Sequence, residues 1–299
     1  MNRLNYEKVF KTLVEETGNY LVNHSLRAMV LGVSGGIDST VVAAICCEVN
    51  KQTNIPLIGR SLPIKNKKDE FDVSKLVGEA FCNNFDVANL YDEYKYFLSG
   101  LVWREERIDL LDDTETMHPE KSKQQTLIAN GNIQARLRMI YLYNLASIHN
   151  GLVMSTDNQT EYQLGFWTIH GDVGDFDPIQ DLWKTEVYQL AEWLKLFYYT
   201  DGDDADKAVA IGESIKLTPT DGLGISNSDL DQIGAKSYND VDRVLQTLVC
   251  PASPENDRVQ DALTVEIGPE IIDKIIKRRS NSRFKREKSP IYISRERYE

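Results

Sequence analysis

The sequence predicts an α/β protein with a parallel β-sheet that is covered by helices on both faces. Apolar runs of strand length lie at 28–33 and 55–61, and segments with helical features follow them at 40–48 and 68–81. A glycine-rich turn joins the first predicted strand to its helix. This succession of strand, turn, helix and strand is typical of a βαβ unit, because parallel strands need a long crossover.

The remaining elements extend this pattern along the chain. Apolar residues at helical spacing predict a helix over 7–25, before the first strand. A continuous apolar run at 151–155 predicts a further buried strand. Later helices are expected over 128–149, 182–197, 238–249 and 271–279. A chain of 299 residues can bury a full core, so these elements are expected to form one domain over 1–299.

Two polar stretches interrupt the regular pattern. Residues 103–125 show no clear periodicity and are expected to form a mobile loop. Residues 198–228 are acidic, contain several glycines and are broken by Pro219. A lid or an excursion from the sheet is expected there, because long segments without a regular pattern often cover functional sites.

The composition favours a soluble, acidic protein of the cytoplasm. A net charge of −12 and a pI near 4.9 argue against a nucleic acid as the main partner. No apolar run is long enough to span a bilayer, and residues 1–8 lack a signal-peptide core, so no membrane partner is expected. The four cysteines contain no C-x-x-C pair and are expected to be reduced.

One local exception to the acidic character lies near the end of the chain. Between 274 and 288 the only acid is Glu287, and the basic residues are Lys274, Lys277, Arg278, Arg279, Arg283, Lys285, Arg286 and Lys288. This basic cluster could hold a phosphorylated small molecule, or it could be a solvated segment. The sequence leaves both interpretations open.

The turn after the first predicted strand has the features of a phosphate-binding loop. Residues 32–39 read Gly-Val-Ser-Gly-Gly-Ile-Asp-Ser and lead into a helix. Backbone N–H groups at a helix start favour an anion, and glycines allow its close approach. Asp38 fits beside a phosphate if a divalent cation lies between them. The loop lacks the Gly-Lys-[Ser/Thr] ending of a Walker A motif, so transfer of a terminal phosphoryl group is not expected.

The S-G-G-x-D-S pattern of residues 34–39 resembles the pyrophosphate loop of the ATP pyrophosphatases. That group includes NAD, GMP and asparagine synthetases and tRNA-modifying enzymes, which cleave ATP between its α and β phosphates and form an adenylate. A chance Ser/Gly turn is the alternative interpretation. The loop by itself does not choose among the members of the group.

A second block, at 155–187, is similar to the ammonia-dependent NAD synthetases. It contains Ser155-Thr156, an acid at Glu161, a Gly-Asp run and Leu-Trp-Lys-Thr at the start of a helix. Further blocks resemble the same family in the same order, at 60–70, 132–139, 219–223 and 285–286. The resemblance covers about residues 8–290. It implies a Rossmann-like fold of the adenine nucleotide alpha hydrolase-like type, without a glutaminase domain.

The resemblance also implies roles for individual residues. The residues expected to bind ATP are Gly32, Val33, Ser34, Gly35, Gly36, Ile37, Asp38, Ser39, Arg60, Thr156, Lys184 and Thr220. The residues expected to bind deamido-NAD are Arg136, Asp175, Phe284 and Lys285. Asp38 and Glu161 are expected to hold Mg²⁺, and Lys184 to be catalytic. Asp172 is also predicted to be catalytic, on a different ground: it lies between Glu161 and Asp175, where a carboxylate could take a proton from ammonium. Many family members differ at Ile169 and Phe284 and have a longer Gly-Asp run, and these three departures all lie on the dinucleotide side.

The implied reaction is the ATP-dependent amidation of deamido-NAD. Its carboxylate attacks the α-phosphate of ATP and diphosphate leaves, which gives an acyl-adenylate. Ammonia then attacks the acyl-adenylate and displaces AMP, which gives NAD. The resemblance further implies a homodimer. Two alternatives remain: another ATP pyrophosphatase that amidates or adenylates a different substrate, and a non-catalytic nucleotide-binding relative.

Overall fold

A four-stranded parallel sheet lies at the centre of the protein. The computed structural model describes residues 4–109, 119–200, 204–218, 229–249 and 263–287. The strands are β1 Met29–Gly32, β2 Leu57–Ser61, β3 Asn84–Val87 and β4 Leu152–Val153. Their order across the sheet is β3-β2-β1-β4, and all neighbouring pairs are parallel. The predicted α/β class is therefore confirmed.

Helices account for most of the remaining described chain. They are α1 Tyr6–Asn23, α2 Ile37–Thr53, α3 Lys68–Phe81, α4 Tyr91–Asp109, α5 Pro119–His149, α6 Gln159–Leu164, α7 Lys184–Thr200, α8 Ala205–Lys216, α9 Asp229–Ile233, α10 Tyr238–Val249 and α11 Pro269–Asn281. A 3₁₀ turn, Arg283–Arg286, follows α11. Of the helices in the described parts of the chain, none is both long and apolar enough to cross a bilayer.

Alternate residues of β1 belong to two different hydrophobic cores. Met29 and Leu31 pack on the face covered by α1, α2, α3, α7 and α8. Ala28 and Val30 pack on the opposite face, against α4 and α5. Side chains of a strand point to opposite faces in turn, so a strand buried on both faces needs an uninterrupted apolar sequence. This explains the apolar run that predicted β1.

A third hydrophobic cluster lies among the later helices. It joins α6, α9, α10 and α11 through the buried side chains of Leu164, Ile233, Val241, Val244, Leu245, Ile272 and Ile275. The short helix α6 thus has an apolar anchor at its end. Through this cluster α10 packs against α6, which carries Glu161.

The predictions for the two polar stretches were partly wrong. Residues 103–109 continue α4 and residues 119–125 belong to α5, while 110–118 lie outside the described residues. Polarity alone is no evidence against a helix, since Arg, Glu, Lys and Gln are good helix formers. In the second stretch α8 is a regular helix capped by Asp204, and its Ala208 and Ile211 are buried in the main core.

The described cysteines agree with the expected reduced state. Cys46, Cys47 and Cys82 are free thiols, and Cys250 lies outside the described residues. Burial raises the pKa of the Cys82 thiol to about 12. Since the thiolate is the reactive form, this thiol is expected to be unreactive at neutral pH.

The contact between α3 and β3 gives a test of the packing. A Cβ at Gly78 would stand 2.1 Å from a ring carbon of Phe85, whereas at Gly212 in α8 the nearest side-chain atom is 3.7 Å away. Gly78→Ala should lower the free energy of unfolding by about 1–3 kcal/mol through overpacking. Gly212→Ala, the matched control, should raise it by about 0.5–1 kcal/mol through helix propensity. Urea unfolding of both variants checks the opposite signs, and an equal gain at both positions would contradict the packing of α3 on β3.

Candidate active site

The glycine-rich loop connects the carboxyl end of β1 to the first turn of α2. Gly35 has φ +85°, and a Cβ there would stand 2.7 Å from the carbonyl oxygen of Glu70 and 2.8 Å from the backbone nitrogen of Ser74. Only glycine satisfies both constraints. The N-cap of α2 is Gly36, which provides no side-chain cap, so the helix N-terminus faces the loop as a potential anion site.

Helix α8 and the loop's own serines hold the loop in this shape. Ser214 donates its hydroxyl to the carbonyl of Gly35 at 2.7 Å and bonds to the hydroxyl of Thr40 at 2.8 Å. Inside the loop the hydroxyls of Ser34 and Ser39 are 2.9 Å apart. The loop is therefore pre-organised by contacts that do not depend on a ligand.

Lys184, the first residue of α7, brings the two predicted metal ligands together. Its Nζ lies 2.5 Å from Oδ2 of Asp38 and 2.9 Å from Oε1 of Glu161, and the lysine side chain is only 2% exposed. Burial works against a charged ammonium, but Asp38 and then Glu161 outweigh it and hold the pKa of Lys184 well above its usual value. A buried ammonium thus lies between two carboxylates.

Asn158 completes this arrangement, and the sequence analysis did not identify it. The fully buried side chain caps α6 by accepting the N–H of Glu161 at 3.1 Å, and its amide donates to Oδ1 of Asp38 at 2.9 Å. Glu161 returns the contact through the backbone N–H of Asn158. The Asn-x-x-Glu spacing of a capping box at 158–161 was the signal that could have found it.

A cavity of about 250 Å³ opens beside the loop at the carboxyl edge of the sheet. Its lining includes the predicted nucleotide-binding residues Gly32, Val33, Ser34, Arg60 and Thr156, together with Asp172 and Arg138. Ligands of open α/β sheets bind at this edge, outside the carboxyl ends of the strands. The Nε of Arg60 is buried and has no hydrogen-bond partner among the described residues, so the cavity wall retains an unused donor.

Arg138 on α5 is a second cation of the cavity. It donates to the carbonyl of Leu62 at 3.0 Å and to Oδ1 of Asn66 at 3.2 Å. Burial lowers the pKa of its guanidinium to about 10, and the nearby Asp172 opposes that shift. Sequence analysis placed Arg138 in a family-like helix without assigning it a role.

Asp172, the predicted proton acceptor, lies in a group of half-buried carboxylates. Its Oδ1 accepts the backbone N–H of Thr168 at 2.6 Å, and burial raises its pKa. Burial also raises the pKa of Asp177 to about 7 and that of Asp157 well above its usual value, the latter with help from Asp172. Asp157 and Asp177 were not predicted, because only the fold brings these acids close to Asp172 and Asp38.

The residues predicted to bind the dinucleotide are only partly brought together. Arg136 donates to the carbonyl of Ile169 at 2.9 Å, and Lys285 donates to the carbonyls of Gly165 and Trp167, so both hold the segment 165–169. Asp175 instead accepts the backbone N–H of Val153 in β4 at 3.0 Å. The side chain of Phe284 is exposed, and Thr220, predicted to contact ATP, lies outside the described residues.

The basic cluster makes contacts that neither sequence interpretation foresaw. Arg278 donates to the carbonyl of Leu164 at 3.0 Å, and Arg286 donates to that of Gln163 at 2.6 Å. With Lys285 on Gly165, these cations satisfy the carbonyls at the C-terminus of α6, where the helix dipole favours positive charge. In the part of the cluster that the structure describes, several cations therefore tie the end of the chain to α6.

These features define an α/β nucleotide-binding site in which one lysine joins a phosphate-type loop to a carboxylate pair. The sequence model of the NAD synthase family matches residues 9–289, and the chain belongs to this family. The NH(3)-dependent NAD(+) synthetase of Wolinella succinogenes is 29% identical over 294 residues, which cover 97% of each chain. That of Thermoplasma acidophilum is 35% identical over 221 residues, covering 72% of this chain and 75% of the relative.

Solved structures agree in fold. An NMN synthetase from Francisella tularensis has a TM-score of 0.72 at 23% identity, covering 98% of this chain and 100% of that one. The NH3-dependent NAD synthetase of Campylobacter jejuni has a TM-score of 0.66 at 22% identity, covering 97% and 100%. The predicted family is confirmed. As a member of this family, the chain is a ligase that forms a C–N bond and uses ATP as co-substrate.

The buried ion triad gives a test that needs no substrate. Lys184→Met would leave Asp38 and Glu161 facing each other without a cation, which should lower the free energy of unfolding at neutral pH by about 3–5 kcal/mol. The difference in the free energy of unfolding between Lys184→Met and native protein should shrink as the pH falls, because protonation removes the repulsion between the two carboxylates. Millimolar Mg²⁺ should raise the melting temperature of the variant more than that of the native protein, since the freed carboxylates can bind it.

Lys207→Met is the matched control for this measurement. Lys207 forms an ion pair with the single carboxylate of Asp204 at 2.6 Å, at the start of α8. Lys207→Met should lose less free energy of unfolding than Lys184→Met, and Mg²⁺ should not restore its stability. A Lys184→Met protein whose melting temperature ignores Mg²⁺ would contradict a divalent site at Asp38 and Glu161.

Proposed function

We propose that the protein amidates deamido-NAD with free ammonia, producing NAD while ATP is cleaved to AMP and diphosphate. The observation that carries the proposal is the convergence of Asp38 from the glycine-rich loop and Glu161 from α6 on Lys184, in a chain of the NAD synthase family. The glycine-rich loop can hold phosphates. Beside it, the ion triad supplies a carboxylate pair that can bind a cation, and an ammonium that can face the phosphates. Retention of these charged groups argues against a non-catalytic relative.

The donor set at Asp38 and Glu161 fits Mg²⁺. Both residues offer carboxylate oxygens, and their present contacts with one ammonium show that they can share a cation. Among the residues that the structure describes, no cluster of three or more His, Cys, Asp or Glu side chains could hold a metal ion by itself. Mg²⁺ is commonly bound by one or two carboxylates plus substrate phosphates, and when bound it would offset negative charge on the leaving diphosphate.

The chain's own groups would bind and orient the nucleotide. The α2 N-terminus and the serines of residues 34–39 would hold its phosphates, while the cavity lined by Arg60, Thr156 and Arg138 would accept its nucleoside part. Lys184 would turn from the carboxylates towards the phosphates once a divalent cation replaced its ammonium. A fixed positive charge in a dry site stabilises charge that develops in the transition state.

Asp172 is the proposed acceptor of a proton from ammonium. It lines the same cavity as Thr156 and carries a pKa raised by burial, which brings a carboxylate closer to the acid–base range that proton transfer needs. Arg136, Asp175, Phe284 and Lys285 remain the proposed dinucleotide-binding residues, of which Arg136 and Lys285 hold the segment just before Asp172.

A homodimer is the proposed assembly. Helix α5 exposes Ile140, Tyr143 and Ile148, three large apolar side chains that fall on one side of the helix. Exposed apolar residues that form a continuous patch often mark an interface with another protein. The cytoplasmic location and the single-domain organisation of residues 1–299 belong to the same proposal.

Product analysis tests the reaction. Native protein with ATP, Mg²⁺, deamido-NAD and an ammonium salt should release NAD, AMP and diphosphate in equal amounts, and glutamine alone should give no NAD. Asp38→Asn and Glu161→Gln should each lower kcat by about a hundredfold or more, because a group that supports charge stabilisation is lost. The carboxylate precursor of NMN should be assayed in parallel. Stoichiometric ADP, or a clear preference for that precursor, would contradict the proposal.

The nitrogen step has its own test. Asp172→Asn keeps an oxygen that can accept the Thr168 N–H but cannot take a proton, so KM for ammonium should rise by about tenfold. The defect should narrow as the pH rises, because more free ammonia is then present. Asp175→Asn is the contrast, since its KM for ammonium should stay near the native value. Equal ammonium dependence of native protein and Asp172→Asn would refute the role.

A further inference from the structure

A buried carboxylate outside the predicted site joins the two helices that carry the ion triad. Asp242 on α10 is 2% exposed. Its Oδ1 accepts the hydroxyl of Thr160 at 2.5 Å, and its Oδ2 accepts the backbone N–H of Thr185 at 2.9 Å. The same Thr160 hydroxyl oxygen accepts the backbone N–H of Lys184 at 2.9 Å. One side chain thus connects the first turn of α6 to the first turn of α7.

The hydrogen-bond partners of Asp242 are sequence neighbours of two residues of the ion triad. Thr160 directly precedes Glu161, and Thr185 directly follows Lys184, so Asp242 fixes the separation of the two helix starts that carry the ion pair. Tyr238 lies one turn earlier on α10, and its ring centroid is 5.6 Å from the Lys184 Nζ. Residues four apart share one face of a helix, so α10 presents both side chains to Lys184.

Stability alone does not account for an acid at this position. Val241, Val244 and Leu245 already anchor α10 in the third hydrophobic cluster. A buried carboxylate costs free energy that an apolar residue would not, and its hydrogen bonds recover only part of it. Its hydrogen-bond partners Thr160 and Thr185 lie directly beside Glu161 and Lys184, so the carboxylate is placed where it orders the ion triad.

We infer that Asp242 is a positioning residue, which acts through Thr160 to hold the start of α7, which carries Lys184, in register with the start of α6, which carries Glu161. This inference rests on the proposed function, because its effect is expected on the step that Lys184 serves. Asp242 does not line the cavity beside the glycine-rich loop. Its contribution is therefore to kcat, whereas the affinities for ATP and deamido-NAD depend on other residues.

The first variant is Asp242→Asn, which keeps the shape but removes the charge and turns one acceptor into a donor that faces Thr160. Its kcat should fall about tenfold while KM for both substrates stays within about twofold, the pattern of an interaction used mainly in the transition state. Thr160→Val should reproduce this loss with Asp242 intact, which covers the case in which Asp242→Asn fails to fold. Thr160→Ser, which keeps the hydroxyl, should retain nearly native kcat.

Two comparisons separate positioning from a merely structural role. Asp204→Asn alters the capping acid of α8, away from the triad, and should lower the melting temperature without lowering kcat. The double variant Asp242→Asn/Thr160→Val should lose no more kcat than either single variant, because residues of one network are not additive. Equal kcat for Asp242→Asn and native protein, multiplicative losses in the double variant, or equal losses in Thr160→Ser and Thr160→Val would overturn the inference.

Native protein assayed in the same series keeps the two proposals apart. No turnover by native protein would refute the proposed function. Native turnover that Asp242→Asn leaves unchanged would refute only the positioning role.

Discussion

The ammonium of Lys184, buried between Asp38 and Glu161, is the interaction on which the arrangement of the site depends. The three residues come from the starts of α7, α2 and α6, which are far apart in the sequence. A buried charge is tolerated only when its partners are correctly placed, so the triad requires all three helix starts to meet. Asn158 bridges the two carboxylates, because its side-chain amide donates to Asp38 and its backbone N–H donates to Glu161.

The later part of the described chain supports this meeting point from outside the sheet. The carbonyls at the end of α6 are held by Arg278, Lys285 and Arg286, and the start of α6 is joined to α7 by Asp242. Helix α6 has only six residues, too few to be stable alone, so its orientation comes from these contacts and from Leu164. The described part of the basic cluster at 274–288 therefore has a structural role, which is to hold the end of α6.

The sequence predicted the parts of the site that are local and missed those that arise from distant contacts. The strand, the glycine turn and the first helix were readable because their pattern is continuous over 28–48. Strand β3 was missed because Asn84–Val87 alternates exposed and half-buried residues and has no apolar run. Asn158 and Asp242 were missed because their roles depend on partners that only the fold brings near.

The charge balance of the site explains how nucleotide and cation would enter together under the proposed function. Mg²⁺ alone would have to displace the Lys184 ammonium from Asp38 and Glu161, and this would leave the buried ammonium without its partners. A nucleotide that carries Mg²⁺ brings a cation for the carboxylates and phosphate oxygens for Lys184 at the same time. Because every buried charge then keeps an opposite partner, the complex avoids the desolvation cost that either ion would meet alone. Under the proposed function, the lysine would therefore make the carboxylate pair selective for a cation that arrives with phosphates.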